Sequence, residues 1–280
     1  MEISVLGPLT ARLGQTSVVP SAAKPRQVLA LLALNSGREV SVSALADELW
    51  GDGPPRSAAA TLHTYVKQLR RMIQAALGPA PDRGPREVLG RRHTGYVLDA
   101  PPDGTDAARF ERLARQGRTA LEAGDAARAS ELLERALLLW RGPALADVTP
   151  GRMLGAEVLR LEELRLTAVE DRIGADLRLG RHGTLLGELT GLTARFPLHE
   201  GLHGQLMVAL YRSGRTWQAL EVYGRLRTAC VTDLGLEPSP QLQRLHRALL
   251  AGDPALDPPV FGDGDGLSAA TLFVDHGTIR

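Results

Sequence analysis

The stretch Ser57-Ala-Ala-Ala-Thr-Leu-His-Thr-Tyr-Val-Lys-Gln-Leu-Arg-Arg-Met-Ile-Gln-Ala-Ala-Leu77 decides the reading of the first half of the chain. Leu62, Val66, Leu69, Ile73 and Leu77 recur every three or four residues, the spacing of one buried helical stripe. A step of about 100° per residue then puts Ala60, Thr64, Lys67, Gln68 and Arg71 opposite that stripe. His63, Arg70 and Gln74 fall on one flank. No acidic residue occurs from Pro54 to Pro81, whereas Arg56, Lys67, Arg70 and Arg71 are all basic. A helix with an acid-free cationic face suits the major groove, whose base edges offer acceptors to Lys, Arg and Gln. Arg56 and Ser57 stand where the helix begins, and Ala58, Ala59 and Ala60 leave its free N–H groups open to a phosphate. The plainer alternative is a solvated basic face.

The neighbouring elements weigh against that alternative. Upstream, Ile3, Val5, Leu9 and Val18-Val19 mark short strands, and a helix follows from Lys24 to Leu34. A second helix opens at Ser41 or Ser43 and carries Leu45, Ala46, Leu49 and Trp50. Gly51-Asp-Gly-Pro-Pro55 stops it, since consecutive prolines cannot continue a helix. Downstream, Glu87-Val-Leu89 and Tyr96-Val-Leu98 bracket the polar tip Gly90-Arg-Arg-His-Thr-Gly95 and read as a hairpin. Two helices joined by a turn, the second one basic, form the helix-turn-helix arrangement. The hairpin is its wing, and Arg91, Arg92 and His93 at the tip can reach phosphate or a minor groove. Gly95 is expected to serve the backbone, and Trp50 and Tyr65 to be core and interface residues.

Composition sets outer bounds. The chain has 280 residues and 30.0 kDa, enough for two domains. No apolar run approaches the roughly 18 residues of a membrane span, and the start lacks the pattern of a secretory signal. Cys230 is the only cysteine, which excludes intrachain disulfides and cysteine-based metal sites and fits a reducing cytoplasm. Net charge is +4 over residues 1–100 and −4 over 253–280. Lysine occurs only at Lys24 and Lys67, so arginine at a given site reflects compositional bias as much as choice.

Past Pro101-Pro-Asp-Gly104, a linker by composition, the pattern is helical to about Ala251. Gly124, Gly180 and Gly214 are each followed at offsets 5, 9 and 12 by apolar residues. These are Ala129, Leu133 and Ala136, then Leu185, Leu189 and Leu192, then Ala219, Tyr223 and Leu226. Gly180 and Gly214 are 34 residues apart, the tetratricopeptide period, while Gly124 and Gly180 are 56 apart and leave room for an insert. A generic helical bundle is the alternative. The expected fold class is multidomain, α+β then all-α: an OmpR-type winged helix-turn-helix over 1–100, a TPR-like domain over 105–251 and a disordered acidic tail over 252–280. The front domain is expected to fold and bind DNA by itself.

Ser43 through Leu69 closely resembles the DNA-binding half of the Streptomyces antibiotic regulatory proteins, and Gly95-Tyr-Val-Leu98 resembles their wing exit. Leu139-Trp-Arg-Gly142, Pro197-Leu-His-Glu200, Leu206-Met-Val-Ala-Leu-Tyr-Arg-Ser-Gly-Arg215 and Leu234-Gly-Leu-Glu-Pro-Ser-Pro240 resemble the activator domain of that family. The resemblance covers about residues 1–250. It implies a cytoplasmic, nucleoid-associated activator with no cofactor and no membrane partner. Such a protein would bind direct repeats in double-stranded DNA as a homodimer, recruit RNA polymerase holoenzyme and switch on a secondary-metabolite cluster. Related winged helices make Gly51, Asp52, Gly53, Pro54 and Pro55 a candidate polymerase-contact loop, although the turn reads equally as a plain connector.

An enzyme reading finds little support. No P-loop or nucleophile-elbow motif occurs. His199-Glu-Gly-Leu-His203 matches the spacing of a zinc-protease helix, but it opens a repeat helix directly after Pro197 and lacks a third ligand. A peptide-binding repeat adaptor with no DNA role is the remaining competitor.

Overall fold

The computed structural model describes residues 1–78, 83–101 and 104–257. Strands β1 (Glu2–Ser4), β2 (Thr10–Leu13) and β3 (Thr16–Ser17) form an antiparallel meander. Helix α1 (Ala23–Leu34) follows, with Val28 to Ala33 buried all round because two helices and a strand pack about it. Then come β4 (Val40–Ser41), α2 (Val42–Trp50), α3 (Ala58–Leu77), a short α4 (Pro85–Val88), β5 (Leu89–Arg91) and β6 (Gly95–Leu98). The second sheet has the order β4-β6-β5. Glu87 and Val88, expected in a strand, belong to α4 instead: Pro85 suits the first turn of a helix, and Glu87 Oε2 accepts the Gly84 N–H at 3.2 Å.

The rest of the described chain is mostly helical. Its helices are α5 (Asp106–Glu122), α6 (Ala126–Leu137), α7 (Arg152–Arg178), α8 (His182–Arg195), α9 (Glu200–Arg212), α10 (Thr216–Ala229) and α11 (Pro240–Ala251). Gly124, Gly180 and Gly214 hold φ of +84°, +73° and +73° and terminate the first helix of each pair, a left-handed geometry that favours glycine. Eight of the nine apolar positions counted from them are buried; Leu192 is half-buried against the same core. The 56-residue spacing arises because α7 runs for 27 residues and residues 138–151 precede it.

Two compact units emerge, and they do not divide at residues 101–104. One comprises residues 1–116 and 134–168, the other 117–133 and 169 onward. The reason lies in backbone pairing. The N–H groups of Val5 and Leu6 donate to the buried Asp106 carboxylate at 2.7 and 3.2 Å. Their carbonyls accept from Leu145 and Arg141 at 2.9 and 2.8 Å. Asp147 takes the Leu9 N–H at 2.6 Å and pairs with Arg26 at 3.0 Å. Trp140 of the Leu139–Gly142 motif meets Phe110 edge-on at 5.4 Å, with the Arg165 guanidinium 4.5 Å from its ring centre. The first unit is thus a winged helix completed by a downstream segment.

In the second unit, Ile173, Leu189, Met207, Ala219 and Leu245 belong to one apolar core. Asp176, 6% exposed, is satisfied by Ser130, Arg172 and Arg181 at 2.8 to 3.0 Å. A tail is expected from residue 252, yet Leu256 is buried in this core and its carbonyl accepts from Arg212 Nε at 2.8 Å. Residues 258–280 of the expected tail lie outside the described residues, as do 102 and 103 of the expected linker.

Burial pushes His203 below the ordinary imidazole range, and burial does the same to His246, which stacks on Tyr223 at 3.9 Å. The folded state therefore binds fewer protons than the unfolded one. The contribution of these two histidines to stability is full above about pH 6.5 and is lost as pH drops from there towards their lowered folded values. Thermal melts should show a lower midpoint at about pH 5.5 than at about pH 7.5, and His203→Phe should flatten that difference.

Candidate nucleic-acid interface

The site is built on α3. Its stripe Leu62, Val66, Leu69 and Ile73 is at most 1% exposed. Each such burial stabilises by roughly 1.5–3 kcal/mol, enough to fix the rotation of the helix. His63, Thr64, Lys67, Arg71 and Gln74 are exposed, and Gln68 is half-buried. Thr64 donates its hydroxyl to the Ala60 carbonyl at 3.1 Å. Arg56 and Ser57 are exposed at the start of the helix, and Ser57 makes no side-chain cap.

The connection before α3 is equally exposed from Gly51 to Ser57. Gly51 (φ +58°) ends α2, and Ser41 begins it by accepting the Ala44 N–H at 3.1 Å. Lys24 Nζ holds the far end of α2, donating to the Leu49 carbonyl at 2.7 Å and lying 5.0 Å from the Trp50 ring centre.

Arg70 does not share the exposed face. Its Nε donates to the Leu89 carbonyl at 2.9 Å and its guanidinium lies 5.9 Å from the Tyr96 ring centre. Desolvation lowers its pKa, against the raising effect of Tyr96, and the charges of Arg86 and Arg91 add to the lowering. Arg70 ties α3 to the wing, a contact the flank position on a helical wheel does not reveal.

Arg91, Arg92 and His93 are exposed at the wing tip. The wing is anchored by pairing Val40 with Tyr96 and Ser41 with Gly95. A Cβ on Gly95 would collide with the Val40 carbonyl, so only glycine allows this approach. Glu39 shapes the tip: its Oε1 accepts the Thr94 N–H at 2.7 Å and hydroxyl at 2.9 Å, and those bonds lower its pKa. Sequence reasoning misses Glu39 because its partner is 55 residues away. It also misses Arg86, which is exposed beside the wing.

The zinc-protease spacing does not become a site. His203 Nδ1 donates to the His199 carbonyl at 3.1 Å, while His199 Nδ1 lies 3.4 Å from Glu170. Among the described residues no group of three His, Cys, Asp or Glu could hold a metal ion, and no helix is long and apolar enough to cross a membrane.

Residues 16–98 match the family described as transcriptional regulatory protein, C terminal, and residues 105–250 match the bacterial transcriptional activator domain. Regulatory protein DnrI of Streptomyces peucetius is 53% identical over 257 residues, 92% of this chain and 94% of that protein. Transcriptional regulator RedD of Streptomyces coelicolor is 40% identical over 260 residues, 92% of this chain and 73% of that protein. The structure of Mycobacterium tuberculosis EmbR in complex with a low-affinity phosphopeptide superposes with a TM-score of 0.84 at 35% identity. It covers 90% of this chain, which spans 65% of that one. The winged helix followed by repeat helices agrees with the EmbR structure. The chain is a DNA-binding transcriptional regulator rather than an enzyme, and it belongs to the Streptomyces antibiotic regulatory protein family of activators.

Proposed function

We propose that this chain binds direct repeats near promoters as a homodimer, recruits RNA polymerase holoenzyme and activates a secondary-metabolite gene cluster, working on the nucleoid in the cytoplasm. The observation that carries the reading is the acid-free face of α3, exposed at His63, Thr64, Lys67 and Arg71 beside a cationic wing. Lys67, Gln68 and Arg71 would meet base edges, since Lys and Arg suit guanine and Gln suits adenine. Arg56 and Ser57 would meet a phosphate at the helix start. Arg91, Arg92 and His93 would hold the backbone or an adjacent minor groove, which orients the protein without reading sequence. Gly51, Asp52, Gly53, Pro54 and Pro55 form the surface offered to polymerase. A repeat adaptor without a DNA role leaves the cationic face unexplained.

Wing charge should act on all sequences alike. Replacing Arg91 and Arg92 with alanine should weaken binding to every duplex. The slope of log affinity against log salt should become shallower by about 1 for each phosphate that the wing no longer neutralises. An undiminished slope would place the wing in solvent. The homodimer is tested by titrating the full chain on DNA carrying one or two copies of the selected site. Two tethered readers raise apparent affinity through effective concentration. Cooperative binding to two copies in head-to-tail order is expected, and a preference for a palindrome would reject the direct-repeat arrangement.

A further inference from the structure

Glu48 is a carboxylate only 3% exposed, on the last turns of α2. Its partners are the first turn of α7, about a hundred residues downstream. Oε1 accepts the Gly151 N–H at 2.6 Å, and Oε2 accepts those of Met153 and Leu154 at 2.8 and 3.1 Å. These are the donors that any helix start leaves without an internal partner. Negative charge is also favoured at that end of the helix dipole. Gln27 of α1 completes the shell, donating to Oε1 at 3.1 Å and to the Glu48 carbonyl at 3.0 Å. A Cβ on Gly151 would collide with both the Glu48 carbonyl and its carboxyl group, so the close approach requires glycine. Just beyond, Arg152 lies 3.6 Å from Asp52 in the α2–α3 turn.

We propose that Glu48 is a positioning residue for DNA reading. The first turn of α7 grips its carboxylate, which fixes the end of α2, the turn after it and thereby the start of α3. Neither Glu48 nor Gly151 needs to touch DNA. The buried carboxylate has no use within residues 1–100 beyond Gln27, and three charge-assisted bonds hold it to a helix of the activator domain. The inference rests on the DNA-reading role proposed for α3.

The test uses the full chain and the duplex selected by wild type from random DNA. Glu48→Gln keeps the shape and one acceptor but removes the charge, and Gly151→Ala wedges the joint apart. Affinity is read at a temperature where circular dichroism shows full helix content in every variant. Each variant should bind the selected duplex about tenfold more weakly, with its salt slope unchanged because the same phosphates remain neutralised. The double variant should bind no more than about twofold worse than the weaker single variant, since both act through one joint. Glu48→Ala should bind more weakly than Glu48→Gln. Wild-type affinity in either Glu48→Gln or Gly151→Ala, or a double variant equal to the product of the singles, overturns the proposal. If Lys67→Ala and Arg71→Ala also bound as wild type, the DNA reading itself would fall; if they bind poorly while Glu48→Gln binds normally, only the positioning role falls.

Discussion

Arg71→Ala should weaken binding to the selected duplex by roughly 1–3 kcal/mol, about 5- to 150-fold, and relax base choice at one position. The guanidinium is exposed on α3, two residues before the buried Ile73, and no carboxylate from Pro54 to Pro81 competes for it. A bidentate contact to guanine is the strongest thing such a side chain can make in a major groove. Lys67, one turn earlier on the same face, should behave likewise with a smaller loss of specificity, because an ammonium is a point charge. The pair differs from Arg70, whose Nε is committed to Leu89. Arg70→Ala should therefore loosen the wing and lower affinity without changing the selected motif. Site selection repeated with each variant separates these outcomes. An unchanged motif and unchanged affinity for Arg71→Ala would mean that α3 does not face the bases.

A fragment ending at residue 100 should be far less stable than the full chain, contrary to the autonomy its sequence suggests. Val5 and Leu6 are fully buried, and their backbone groups pair with Asp106, Arg141 and Leu145. Leu9 is 4% exposed and held by Asp147. Exposing even two such side chains removes roughly 3–6 kcal/mol, a large part of a typical domain's 5–15. The same cut strips Glu48 of three of its four side-chain donors. Chemical denaturation should show a weak or absent cooperative transition for 1–100 and a sharp one for the full chain. Equal midpoints would mean that residues 134–168 merely rest against the winged helix.

Periodic features are legible in the sequence, and pairwise ones are not. The stripe on α3 shows because a helical period repeats four times within one element, and the repeat glycines show because the same backbone need recurs at each helix end. Gly95 is legible because two short apolar runs frame a polar tip. By contrast, Glu48 looks like any acidic residue on a short helix. Its function comes from Gly151, 103 positions away, and no local pattern announces that the two meet. Asp106 and Val5 are likewise 101 residues apart. Glu87 and Val88 read as strand in the sequence but fold as helix, because Pro85 after Gly84 starts a helical turn that overrides β-propensity.

The measurement closest to the central claim is a salt titration of the full chain on the selected duplex and on a shuffled one. Log affinity should fall linearly with log salt, with a slope of about −0.9 per neutralised phosphate, and the selected duplex should stay tighter by a factor on the order of 10³ or more. Affinity that is flat in salt and equal for the two duplexes would contradict the account.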